Sequence, residues 1–536
     1  MKNRISLNCL MKMANICFLL ILENLVLDCG AGYLAVGIIF YAFFYTILMG
    51  SMQSSVAKMV SIRNHKGLYN NSRKILKNSI LYVLITGTVF IVLTFLLSEK
   101  FCLLFFGTSN PTPVIQSFSF LVLLNGLTDV LTGFQMGSGN GILVNISHLC
   151  RIILPLGGGL FLVNALYHYG LKVAGLLQNG QFANLYGAIG GVLIQILTSF
   201  LVLIICLIWF KKSEKNSEER NGYGSLRGID ADRRLFKNFI ALSFKTLENS
   251  IIPVMMTFLI SIMYMHLATK YGVHVNEIFR NLGIFFVKFG LVCVLIYTVF
   301  KEYVIREKYK LHTDFKKEEM KGFLTRSQYL IKNTFFMLLP AACILIFLAD
   351  PFVKVFFSDE IKITVKMFRI GGILLLLGGL TYTLKTILIS MQKNMTVFII
   401  NAGSMLVQIV FLWIVLSKSK GNSMFLLYSL FVYFGICLLG YAILIYKMIR
   451  PNLVDILIKV GKVTVAVSVM AVVEVILDTF IMMNVFLMFL AIVLCYLVFY
   501  LVLFAIRGIS KKDEQSLKRT INYIPVHFIA DKLRLW

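Results

Sequence analysis

Along this 536-residue chain the apolar residues gather in blocks of about twenty, separated by short polar stretches. A block of that length crosses a hydrocarbon core of roughly 30 Å as a helix. Inside lipid the backbone N–H and C=O groups have no water to bond, and a helix satisfies them internally. The blocks predict helices near residues 7–27, 32–57, 78–98, 114–137, 141–164, 185–210 and 238–265. Further blocks lie near 281–300, 328–349, 364–391, 395–416, 423–446, 461–481 and 484–506. Ten-residue segments of alternating polarity, the mark of a transmembrane barrel, are absent from the sequence. The fold class expected is an all-α polytopic membrane protein of about fourteen transmembrane helices.

Composition agrees, with 58% hydrophobic and 14% charged residues, where a soluble chain carries roughly a quarter charged. The net charge of +27 raises the question of nucleic acid, but the basic residues sit between apolar blocks, and no nucleic-acid partner is expected. With the N-terminus inside, the segments 60–77, 211–237, 301–327, 447–460 and the tail from Arg507 face the cytoplasm. They hold several times as many Lys and Arg as the opposite loops, as the positive-inside rule requires. The expectation is a multi-pass plasma-membrane protein with both termini cytoplasmic and an uncleaved first helix. The ten cysteines form no CxxC pair and read as packing residues, so neither a disulfide frame nor a metal or cofactor site is expected. The longest polar stretches, 211–237 and 301–326, are too short to bury a core of their own. The sequence has no GxxxxGK[ST] motif for an ATP motor.

The chain repeats. SRKILKNS at 72–79 opens the third helix and SQYLIKNT at 327–334 opens the ninth, and each helix leads to a Phe-Phe pair, Phe105-Phe106 and Phe356-Phe357. A fainter echo joins the stretch from Asn145 to Arg151 with that from Asn401 to Gln408. The copies lie six helices apart, an even number, so they share topology and predict two parallel six-helix repeats around a central cavity, plus two C-terminal helices. The domains expected are a six-helix bundle at 1–210, a cytoplasmic linker at 211–237 and a second six-helix bundle at 238–450. Two extra transmembrane helices at 451–507 and a basic cytoplasmic tail at 508–536 complete the chain.

The segments GSMQSSVAKMVS at 50–61 and GLYNNSRKIL at 67–76 carry a small-residue helix end followed by a basic loop. FFMLLPAA at 335–342 leads to DPFVKVFF at 350–357, and LISMQKNM at 388–395 makes a short turn between two helices. At these residues the chain resembles the multidrug, oligosaccharidyl-lipid and polysaccharide exporter superfamily. Within it, the chain is most similar to the branch of stage V sporulation protein B, polysaccharide flippases and lipid II flippases. It departs from the lipid II flippases in its first helix, which offers Lys12 and Glu23 in place of an Arg-rich stretch. The resemblance implies a membrane transporter, not an enzyme, that flips a lipid-linked saccharide by alternating access. A multidrug exporter of the same superfamily is the alternative, followed by an envelope-synthesis scaffold or a membrane enzyme.

An ionisable side chain at a helix centre costs at least about 2.5–3.5 kcal/mol and persists where it faces a bundle interior or a wet cavity. The deep set is Glu23, Asp129, Arg151, Lys245, Glu248, Lys288, Lys385 and Glu474, whereas Lys58, Lys332, Lys366 and Arg369 lie near helix ends and are expected to snorkel. The cationic members suit an anionic cargo. Arg151, Lys245, Lys288 and Lys385 are the candidate substrate contacts, because Arg grips phosphate oxygens through a fork and Lys acts as a point charge. Lys245 and Glu248 are also spaced to neutralise each other on one helix face. Glu23, Glu248 and Asn249 are the candidates for coupling to H+ or Na+. The partners expected are thus a lipid-linked saccharide or other amphipathic anion, membrane lipids and a coupling ion. Glycines 133, 137, 139, 141 and 157–159, with Pro155, Pro253 and Pro340, are either flexible points or close-packing residues.

Overall fold

A straight helix as long as the first continuous helical stretch, Leu7–His65 with 59 residues, would run roughly 90 Å, about three times the hydrocarbon core. The chain does not run straight. Leu27 leaves helical geometry at φ 62, ψ 170. Leu22 and Leu34, which a continuous helix would hold about 18 Å apart, both lie against Gly191, so the chain doubles back between them. The break falls beside the Asp28–Cys29–Gly30 junction, where the hydropathy pattern also separates two helices.

The computed structural model describes residues 6–220, 237, 240–242, 251–357, 362–419, 421–449, 453–479, 484–506 and 508. The first part contains α1 (Leu7–Met49), α2 (Met52–His65), α3 (Tyr69–Phe101), α4 (Thr112–Gly137), α5 (Ile142–Leu154), α6 (Leu160–Leu177) and α7 (Gln181–Arg220). Then follow α8 (Ile251–Lys270), α9 (Val275–Leu282), α10 (Leu291–Lys316), α11 (Met320–Phe347) and α12 (Ala349–Phe357). The last are α13 (Lys362–Ser390), α14 (Asn394–Ser419), α15 (Met424–Ile449), α16 (Leu453–Asp478) and α17 (Val485–Ala505). Three π-helical stretches, Cys102–Phe106, Pro155–Gly159 and Gly283–Gly290, join neighbouring helices. The described residues are 92% helical and contain no strand. Among the described residues, thirteen continuous stretches are long and apolar enough to cross a membrane. With the reversal at Leu27 dividing the first, they give the fourteen crossings the sequence predicts.

The chain separates into two compact units. One comprises residues 10–287 and 416–422. In it α4 packs against α2, α3 and α7, and α7 also receives α5 and α6. Small residues set these approaches. A Cβ on Gly133 would lie 2.6 Å from the Gln53 carbonyl oxygen, and one on Gly137 2.6 Å from that of Ala57, so glycines 133 and 137 act as close-packing residues between α4 and α2. Gly139 instead turns the chain at φ 86. Where the second crossing begins, Gly32 and Gly283 let two backbones touch: a Cβ on Gly32 would meet the Phe279 oxygen at 1.9 Å, and one on Gly283 the Asp28 oxygen at 2.1 Å. Tyr33 stacks on Phe279 beside them, ring centroids 3.9 Å apart.

The other unit comprises residues 1–9, 288–415 and 423–536. Here α11 is central, packed by α10, α12, α13, α16 and α17, while α13 also holds α10 and α15. The mutual packing of α2, α3 and α4 in the first unit is repeated by α10, α11 and α13 in the second. The duplicated motif keeps its local chemistry too. Ser79 donates its hydroxyl to the Ile75 carbonyl at 2.7 Å, and Thr334, at the matching place, donates to that of Leu330 at 2.9 Å.

Several sequence expectations change. The polar segment 60–77 is helical except at 66–68, and 211–220 and 453–460 belong to helices α7 and α16. The polar stretch 301–327 is not a loop: α10 runs through Lys316 and α11 begins at Met320. Its charges support helix by pairing along it, Arg306 with Glu302 at 3.5 Å and Lys310 with Glu307, while Arg326 of α11 bridges to Asp314 at 2.8 Å. Lys332 does not snorkel as its end-of-helix position suggests. It is buried and donates to the Gly508 carbonyl at 3.0 Å, a cation at the C-terminal end of α17 where helix carbonyls lack partners. Lys58, Lys366 and Arg369 are exposed.

Candidate functional site

Arg151 lies on α5, one turn before the π-helical stretch that starts at Pro155. Its Nη2 donates to Asn125 Oδ1 at 3.2 Å and to Thr128 Oγ1 at 3.0 Å, both on α4. Asn125 is itself fixed, donating to the Tyr41 hydroxyl at 2.8 Å and accepting from Ser199 at 2.9 Å. One turn along α4, Asp129 accepts a 2.6 Å bond from the Tyr45 hydroxyl and is a charge neighbour of Arg151. Gln53 donates to Thr132 at 3.0 Å at the end of the row. Asn125, Thr128, Asp129 and Thr132 stand three or four residues apart, so one face of α4 carries a polar column through an otherwise apolar bundle. Arg151 is held by neutral oxygens rather than by a carboxylate, and its Nε is buried without a partner among the described residues. A guanidinium in this state retains donors for an anion's oxygens.

The second unit gathers ammonium groups. Lys301 and Lys308 of α10 are seven residues apart, two turns along one face, and both are charge neighbours of Lys385 on α13. The Lys301 ammonium lies 5.8 Å from the Tyr297 ring centroid and 5.7 Å from that of Tyr382, so two aromatic faces steady it. Asn401 on α14 gathers the hydroxyls of Tyr433 at 3.2 Å and Tyr441 at 2.6 Å and the thiol of Cys437 at 3.5 Å, all on α15. Cys437 is in turn a neighbour of Lys385. Three like charges held on two packed helices repel one another.

The other expected site residues are distributed as follows. Lys288 is buried beneath the Phe357 ring, 5.4 Å from its centroid, and thirteen residues, about 20 Å of helix, separate it from Lys301. It stands apart from the Lys385 cluster. Glu23 is buried in the first crossing. Lys245, Glu248 and Asn249 lie outside the described residues. Sequence reading missed Lys301 and Lys308 because it ended the eighth helix at residue 300. The seven-residue spacing of the two lysines was the signal available. It also missed the Asn125 column, whose uncharged members do not stand out from an apolar helix.

No protein-family model matches the chain. Over 166 residues, 29% of its length, it is 28% identical to the lipid II flippase MurJ of Bacillus subtilis (strain 168), and the match spans 30% of that protein. Among solved structures it is similar to the lipid II flippase MurJ in an inward closed conformation, with a TM-score of 0.63 and 15% identity over 92% of this chain and 96% of that one. It is also similar to an inward-facing multidrug resistance MATE family transporter of the MOP superfamily, with a TM-score of 0.60 and 13% identity over 84% of this chain and 97% of that one. The proteins it resembles are transporters rather than enzymes. The chain is a multi-pass membrane protein with the all-helical fold shared by MurJ and the MATE transporters of the MOP superfamily.

Proposed function

We propose that this protein carries an anionic amphipathic lipid, a saccharide linked through phosphate or pyrophosphate to a polyprenyl chain, across the plasma membrane. Cargo is loaded from the cytoplasmic side and released outside by alternating access. The observation that carries this reading is the Lys301–Lys308–Lys385 cluster with its Tyr297 and Tyr382 walls. Three ammoniums match a pyrophosphate, and flat aromatic faces suit the sugar and the first isoprene units. Arg151, with an Nε still to be satisfied, supplies a second anion contact in the other unit, and Lys245 and Lys288 complete the proposed set. Similarity to a lipid II flippase supports the cargo class. The bundles at 1–210 and 238–450 are proposed as the two moving parts, with both termini cytoplasmic. Glu23, Glu248 and Asn249 are proposed to take the driving H+ or Na+.

A multidrug exporter is the second reading, favoured by the MATE likeness. Cationic drugs call for acidic walls, and the lysine cluster weighs against them. The test compares flipping of a fluorescent polyprenyl-pyrophosphate sugar in vesicles holding the wild-type protein and a Lys301→Gln, Lys308→Gln, Lys385→Gln variant. Flipping above empty vesicles, reduced at least about tenfold in the variant at unchanged thermal stability, is expected from the loss of several phosphate contacts. Export of cationic dyes with no flipping of any polyprenyl headgroup would overturn the reading in favour of drug export.

A further inference from the structure

The contact surface between the last two helices and α11 is apolar except at one place. Val463, Val467 and Met470 of α16 face Phe336, Cys343 and Ile344 of α11 and Met488, Cys495 and Phe499 of α17, all buried in one cluster. The spacing on α16 is four, three, and then four again, and the next position on that face is Glu474. A Leu there would continue the packing. Glu474 is instead completely buried, 0% exposed, and neither of its oxygens has an oxygen or nitrogen donor among the described residues. The groups facing it are the Cys343 thiol of α11 and the Cys495 thiol and Tyr496 phenol of α17. One turn further on, Asp478 has its own charge neighbours, Asp350 and Lys354 of α12 and Arg369 of α13.

We propose that Glu474 is a proton-binding site built into the α11–α16–α17 contact, so that packing of the last two helices against α11 and binding of one proton are the same event. An ionised carboxylate in an apolar contact, with no cation beside it among the described residues, costs several kcal/mol, and a neutral acid costs far less. The helices therefore close on the acid form. When the carboxylate ionises it needs water, and water reaches it only if α16 and α17 loosen from α11. Sodium is not the ligand, because hard cations take several oxygen ligands and the surroundings are thiols, one phenol and hydrocarbon. Among the described residues no group of three His, Cys, Asp or Glu is placed to hold a metal ion. The inference is independent of the cargo and assigns the proton to a residue outside the Glu23, Glu248 and Asn249 set.

The test uses the full chain in lipid nanodiscs and a hydrophobic carbodiimide, which adds across its C=N bond to a protonated carboxylic acid buried in an apolar setting. Mass-spectrometric mapping should place the adduct on Glu474 at acidic pH, with labelling falling as the pH rises. In parallel, the rate of maleimide labelling of Cys343 and Cys495, divided at each pH by that of free cysteine to remove the thiolate fraction, should rise toward alkaline pH in the wild type. In Glu474→Gln, which keeps the shape without the titration, this ratio should be flat with pH. Glu474→Met, which completes the apolar face, should raise the thermal midpoint and also abolish the pH response, so a poorly folding Gln variant does not leave the idea untested. Absence of an adduct on Glu474 at acidic pH, or cysteine accessibility that follows pH equally in the wild type and in Glu474→Met, overturns the proposal.

Discussion

At the scale of single residues, the chain treats its intramembrane charges in three ways. Arg151 is wired to neutral amide and hydroxyl oxygens, Lys288 lies beneath an aromatic ring, and Glu474 faces thiols. Arg151 uses one nitrogen, Nη2, for both Asn125 and Thr128, and its Nε has no partner among the described residues. A lysine ammonium sits on a shorter, flexible stem and gives up both that reach and the remaining donors. Arg151→Lys is therefore expected to lower stability by about 1 kcal/mol, typical of a polar contact within a membrane bundle, read from thermal unfolding in detergent. If the unfolding midpoint is unchanged, the Asn125–Thr128 bonds hold nothing in place. Arg151 was legible in the sequence as a deep charge, but its partners were not. Asn125 and Thr128 become notable only when α5 is laid across α4.

At the scale of elements, glycine decides how closely two segments approach. Gly32 and Gly283 permit backbone contact between the start of the second crossing and the π-helical stretch Gly283–Gly290. A methyl group at either position would overlap a carbonyl oxygen, and backbone cannot swing away as a side-chain tip can. Gly32→Ala is expected to cost about 3 kcal/mol or more, the upper range for overpacking. Gly157→Ala, at a place where a Cβ meets nothing within 4 Å, is expected to be tolerated. Comparing the yield of monodisperse protein for the two variants checks this, and equal yields would mean that the close approach is not needed. The sequence flagged the glycines around 133–141 and 157–159 but left their role open between hinge and packing. Glycines 133 and 137 pack, while Gly157 and Gly158 face open space within a π-helical stretch. That difference depends on the neighbour across the contact, which a single helix does not reveal.

At the scale of the whole molecule, helix count and charge asymmetry together predict a topology. With fourteen crossings and the basic segments inside, the short connection at 66–68 between α2 and α3 is expected to face the cytoplasm and the 107–111 turn to face outside. Cysteines introduced at Lys66 and at Asn110, in a background where Cys17, Cys29 and Cys150 are replaced by Ser, should separate under an impermeant maleimide. The Asn110 site is expected to label in intact cells and the Lys66 site only after the membrane is opened. Labelling of Lys66→Cys in intact cells would invert the orientation and with it the direction of loading.

The sequence by itself determined the class, the helices, the duplication and the kind of charge held in the membrane. These follow from local rules that leave traces in order and composition: the length needed to cross lipid, the cost of an unpaired backbone, and the placement of Lys and Arg in loops. Even the reversal at Leu27 was visible as a polar interruption at Asp28. Only the tertiary structure decided which charges act together. Lys385 joined Lys301 and Lys308 because α10 stays helical past the apolar block that ends near residue 300 and lies against α13, while Lys288, on the same crossing as Lys301, was carried about 20 Å away by helical rise. It also decided that Lys332 caps a helix end and that Glu474 stands in an apolar contact. A side chain's partners are set by which helices pack, at what depth and on which face, and these distances between remote segments are not written in the periodicity of any one of them.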